Sequence, residues 1–295
     1  MDSTEDVRRA PHAESAESGY DPLIEACAAV FKLGGADYLA HFGNGLFNFS
    51  MSRGLAASAD ALSAYELSCR QLVILVERYE RLLQGLRMGD LMRIVVASSD
   101  RALACCRIRP GQYLVGVSAE DDQLDRRVCE AAVATRAIYR LPDEMMGGRR
   151  DLPLDDDPTP GIRIHRDGDP PPSLVSVVNA RDLHYAGCFH EGRPPAAADA
   201  FPDLGKWFSN TARETRRETI QQLGGTLRQE LAHLCHALRL VMTGSVERLV
   251  LDIQEGALYV LAPAGTDEGL LVGLTFDQYE VDRAERRLRG LLGSC

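Results

Sequence analysis

The stretch "YLVGVSAEDDQLDRR", residues 113–127, returns as "LLVGLTFDQYEVDRA" at 270–284, and this repetition decides how the chain is read. At a shift of 157 residues, Leu114, Val115, Gly116, Asp125 and Arg126 meet Leu271, Val272, Gly273, Asp282 and Arg283. The replacements between them keep the physical character: Val117 becomes Leu274, Ser118 becomes Thr275, Glu120 becomes Asp277 and Leu124 becomes Val281. Upstream, "RIVVASSDRAL" at 93–103 faces "RLVLDIQEGAL" at 248–258, now at a shift of 155, so the intervening loop is two residues longer in the second copy. The period is domain-sized and predicts a duplicated domain, not a solenoid.

Working outward, the repeated phrase reads as a strand, a helix cap and the first turn of a closing helix. Ser118 with Asp121, and Thr275 with Gln278, place a hydroxyl and a polar partner at the exposed amides. Before it, "LMRIVVA", "ALACCRI" and "YLVGVS" are strands joined by "SSDR" and "RPGQ", turns short enough to force an antiparallel meander. Over 59–87, Leu72, Leu75, Tyr79, Leu82 and Leu86 recur at steps of three and four and predict an amphipathic helix. "DPLIEACAAVFKLGG" predicts a short helix stopped by Gly34-Gly35, and Asn44-Gly45 between aromatic-rich runs predicts a hairpin.

The second copy repeats this order. "SLVSVVNARDLHYAGCF" reads as a hairpin turning at Asn179–Asp182, and Ile220, Leu223, Leu227, Leu231, Leu234, Leu238 and Val241 mark the long helix. Strands are expected at about 248–253, 257–262 and 270–275. Residues 1–21 are polar and read as a disordered tail. The first domain then spans 22–141, a linker with seven of the fourteen prolines spans 142–172, and the second domain spans 173–295. An insertion at about 187–210 carries the only tryptophan, Trp207.

A net charge of −10 and a pI of about 5.2 argue against nucleic acid or an anionic membrane as the main partner. Lys32 and Lys206 are the only lysines among 33 basic residues, which reads as codon bias of a GC-rich prokaryotic genome. No apolar run suits a membrane span, and the polar start lacks a signal-peptide core, so a cytoplasmic chain is expected. The eight cysteines show no CxxC spacing and read as small apolar fillers.

The chemistry-bearing strings are weak. No GxxxxGK[ST] phosphate loop occurs. Glu230, His233 and His236 share a helical face, but no matching carboxylates stand on another helix, so structural histidines are expected. Cys105 and Cys106 on a strand point to opposite faces, Ser98-Ser99-Asp100 reads as a turn, and "HRDGDP" at 165–170 reads as linker. No catalytic, cofactor-binding or metal-ligating set is assembled.

The element order, with "LVGV" running into a capped helix, resembles the roadblock/dynein light chain family over most of 22–141 and, less closely, 173–293. The resemblance implies an α+β fold of two profilin-like or roadblock-like domains. Each would be a five-stranded antiparallel sheet with the long helix on one face and two helices on the other. It further implies a non-catalytic regulator or scaffold whose partner is a Ras-like small GTPase or another protein, with pairing of copies as a homo-oligomer. Any stimulation of GTP hydrolysis would need no catalytic residue from this chain. Edge strands need covering, so Arg93–Ala97 against Arg248–Asp252 is the expected seam of an internal pseudo-dimer. The contact residues expected on this basis are Arg70, Arg78, Arg81, Arg93, Val95, Arg248 and Val250. The alternative is a small-molecule sensor, with its ligand between sheet and helices or near Trp207.

Overall fold

The computed structural model describes residues 6–14, 19–53, 59–119, 121–141, 162–191, 195–262 and 269–292. The fold is mixed α+β, with twelve strands and six α-helices among the described residues. It divides into two compact units: 1–79 with 92–144 and 233–246, and 80–91 with 145–232 and 247–295.

Unit 1 contains β1 (Asp6–Arg9), α1 (Asp21–Phe31), β2 (Tyr38–Gly43), β3 (Leu46–Ser52), most of α2 (Ala59–Leu83), β4 (Leu91–Ala97), β5 (Ala102–Arg109), β6 (Gln112–Ser118) and α3 (Asp121–Ile138). The strands are antiparallel in the order β1-β3-β2-β6-β5-β4. The β2–β3 turn is the expected one, with Asn44 and Gly45 at φ 51° and 75°. Alternation along the strands sorts the two faces. Gly116 and Cys106 look toward α3, whereas Tyr38 packs its ring 5.4 Å from Tyr65 of α2.

Unit 2 contains β7 (His165–Asp167), α4 (Pro172–Val177), β8 (Tyr185–Phe189), β9 (Ala196–Asp199), most of α5 (Arg213–Leu238), β10 (Arg248–Ile253), β11 (Gly256–Leu261), β12 (Leu270–Thr275) and α6 (Val281–Arg289). Its order is β10-β11-β12-β8-β9-β7, again antiparallel. The sheet again lies between helices, with Gly273 facing α6 and Phe189 facing α5. At Gly116 a Cβ would stand 2.4 Å from Val128, and at Gly273 2.7 Å from Leu288, so in both units glycine lets the closing helix lie against the strand.

Several expectations are corrected. The tail expected over 1–21 gives way at its centre, where Asp6–Arg9 pairs with β3 and Ala10 and Ala13 are buried. Backbone hydrogen bonds at a sheet edge order a segment too polar to order itself. Likewise His165–Asp167, read as linker, pairs with β9. Each unit therefore contributes six strands rather than five. The expected hairpin at 173–189 is instead α4, a corner at Asn179–Asp182, then β8. Asn179 Oδ1 accepts from the amides of Arg181 and Asp182, the turn chemistry that was legible, but the β-branched run before it is helical from a proline start. The true hairpin partner of β8 is Ala196–Asp199, inside the stretch read as insertion.

The closing helices also differ in register. A 3-10 turn at Gln278–Glu280 is capped by Asp277, not Thr275, and delays α6 to Val281, 160 residues after Asp121. The Ser118 cap borders Glu120, which lies outside the described residues.

Candidate functional site

The seven expected contact residues separate sharply. Arg93 is buried and donates to both carboxylate oxygens of Asp125, at 2.7 and 2.8 Å. Arg248 is buried and donates to Glu285 at 2.6 Å. Val95 and Val250 are buried as well. All four are therefore buried within the folded chain rather than displayed on its surface, and the two guanidinium groups are held by carboxylates of their own unit. The structure equates Asp125 with Glu285, one helical turn beyond the Asp282 suggested by the repeated phrase. The added 3-10 turn is the reason.

Arg70, Arg78 and Arg81 stand on α2, where Arg70 and Arg81 are exposed and Arg78 half-buried. Arg81 falls in the segment assigned to unit 2. In unit 1 the outward stripe of α2 is Ser63, Leu67, Arg70, Ile74 and Glu77, at alternating steps of three and four. Leu67 and Ile74 are 46% and 54% exposed, two large apolar groups one heptad apart on a helix whose opposite face is fully occupied by Leu72, Val76 and Tyr79.

No group of three or more His, Cys, Asp or Glu side chains that suits a metal occurs among the described residues. His236 is engaged by Arg239 at 2.8 Å. The described cysteines are unbridged, and burial pushes the Cys27 thiol up to about 11 and raises Cys105 and Cys106. Ser98 and Asp100 form the expected turn, and Asp100 accepts from the amides of Thr243 and Gly244 at 3.0 and 3.1 Å. Those bonds, with the Ser98 hydroxyl the largest contributor, hold its carboxyl below the usual range.

In unit 2 a cleft of about 540 Å³ opens where the ring of Phe189 seats on Gly224. His190, Gln221, Arg228 and Leu270 share its wall. Trp207 is not part of it. That residue lies on the segment between β9 and α5, half-buried beside Phe276 at 6.3 Å between ring centroids. Sequence reasoning singled out Trp207 but passed over Phe276 and Arg216, although Arg213, Arg216 and Arg217 crowd the start of the helix that follows it.

No protein-family model, curated protein or solved structure matches the chain. No helix among the described residues is long and apolar enough to cross a membrane.

Proposed function

We propose that the protein is a non-catalytic regulator or scaffold, built of two roadblock-like domains, that binds a protein partner through the outer face of α2. The observation that carries this reading is the exposure of Leu67 and Ile74 beside Arg70. Apolar anchors flanked by arginine are the composition of interface centres. The partner class follows from the family resemblance: a Ras-like small GTPase. The shared strand order of the two units supports treating them as copies, and duplication would let one copy serve the other as an internal dimer partner.

The test is retention of a Ras-like GTPase from the same genome, loaded with GDP or a non-hydrolysable GTP analogue, by the immobilised full chain. Retention in one nucleotide state, lost in Leu67→Asp/Ile74→Asp, is the expected result. Equal or absent retention in both states contradicts the regulatory reading.

The sensor reading keeps one specific observation in its favour, the cleft at Gly224, whose volume falls within the range of small-molecule sites. A metabolite that raises the unfolding temperature of the wild type but not of Gly225→Trp would support it. Gly225 lines the cleft and has open space where a side chain would stand.

A further inference from the structure

Between β9 and α5, two 3-10 turns, Phe201–Asp203 and Gly205–Phe208, bring aromatic rings around Phe276. Phe201 and Phe208 lie 5.5 and 5.6 Å from it, centroid to centroid. Cations cover these rings. The Arg216 guanidinium stands 4.6 Å from the Phe276 centroid and 5.1 Å from that of Phe208; Arg213 lies 5.5 Å from Phe208, and Lys206 4.5 Å from Trp207.

Arg216 is the anomaly. It is 4% exposed, yet Nε and Nη1 are enclosed with no hydrogen-bond acceptor. Its neighbour Arg217 shows what a satisfied arginine looks like here: Asp199 accepts from it at 2.7 and 3.0 Å. The charges that act on Arg216 are Glu255, of opposite sign, and Arg87, of like sign; burial, the largest influence, disfavours its charged form. Among the described residues Lys206 and Arg213 also form no ion pair; Arg213 donates to the carbonyls of Phe201 and Pro202, and the Asp203 carboxylate acts on it at longer range. Stacking on aromatic faces offsets part of the desolvation of a buried cation, but a methionine would fill the same space without it. A chain of net charge −10 has carboxylates in surplus, yet among the described residues none forms an ion pair with these three cations; Glu255 and Asp203 act on Arg216 and Arg213 only at longer range.

We infer that this cluster is a binding site for an acidic peptide segment of a protein partner. One carboxylate meets Arg216 at Nη2, Lys206 and Arg213 hold further acidic groups at the rim, and Trp207 and Phe208 cover the apolar part of the segment. A small patch of cations on an acidic protein suits one or two carboxylates rather than a nucleic acid, which needs many phosphate contacts. The site is built from residues of unit 2, whereas Leu67 and Ile74 belong to unit 1, so either inference stands without the other.

Trp207 is the only tryptophan, so its emission reports on the site directly. The probe is a blocked dodecapeptide of repeating Asp-Glu-Leu, set against its Asn-Gln-Leu counterpart, titrated into the full chain. A saturable change with the acidic peptide alone, weakening as salt rises, is expected. Lys206→Gln/Arg213→Gln weakens binding by about tenfold. Arg216→Met abolishes binding while unfolding at or above the wild-type temperature. The inference is overturned if neither peptide gives a saturable change, if both give the same one, or if Arg216→Met binds like the wild type. A marked loss of thermal stability in Arg216→Met would overturn it too, by assigning the guanidinium to the fold.

Discussion

Unit 1 and unit 2 use one strand order but different side chains for the same tasks. Asp37 and His184 occupy equivalent places, one residue before β2 and β8, and each gives its amide to the end of the neighbouring strand, to Val117 and Leu274. Each side chain then accepts the amide two residues further on. Asp37 accepts from Ala119 at 3.1 Å, and His184 Nδ1 accepts from Phe276 at 2.8 Å. The buried arginine of the first meander strand is retained, but its carboxylate moves from Asp125 to Glu285. The comparison teaches that the backbone plan is what the repeat preserves, and that hydrogen-bonding and charge requirements are met anew in each copy. Only unit 2 adds the aromatic and cationic segment around Trp207.

The sharpest way to break the comparison is to remove the carboxylate in each unit. Asp125→Ala and Glu285→Ala each take the carboxylate from a buried guanidinium and should destabilise by about 3–5 kcal/mol, read by urea unfolding. Equal losses would mark the pairs as equivalent. If Asp282→Ala proved the damaging change instead, the one-turn offset would be wrong. Next in size is packing at the two glycines. Gly116→Ala and Gly273→Ala overpack the closing helix and should lower stability by about 1–3 kcal/mol. Gly116 should suffer more, because the β-branched Val128 that it meets has little rotamer freedom, whereas Leu288 can turn away.

The smallest effect is the dependence on pH. Burial, assisted by Arg109, lowers the His41 pKa to about 4, and burial lowers that of His184 to about 4. Both fold as neutral rings, while the unfolded chain takes up the protons near pH 6.5. Their contribution is therefore complete above about pH 6.5 and is lost as pH falls toward about 4, each with a slope of at most about 1.4 kcal/mol per pH unit. Replacing His184 by Asn should remove one such slope and leave the other, as measured by unfolding between pH 7 and 4.

These tests bear on elements that were unequally legible. Strands such as "RIVVA" and "YLVGV" announce themselves because β-branched residues and tight turns leave few alternatives. Ala196–Asp199 could not be seen that way: alanine carries no strand signal, and the segment is a strand only because β7 and β8 lie on either side. The three- and four-residue edge strands are too short for any periodicity. Arg93 and Arg248 were read as contact residues because they open the strands expected at the seam, and their buried carboxylate partners were not anticipated. Their partners stand 32 and 37 residues away, on closing helices of which the second is delayed by a 3-10 turn that the first lacks among the described residues. Arg70, Arg78 and Arg81 placed the proposed contact on α2. Leu67 and Ile74 stood out only once burial was known.

Amide hydrogen exchange, resolved to single strands, tests the duplicated plan most directly. The account predicts matching protection: slowest at β2, β5 and β6 and at β8, β11 and β12, each flanked on both sides, with weaker protection at the edges β1 and β7. Slow exchange confined to one half of the chain, or coil-like exchange at both 6–9 and 165–167, would contradict it.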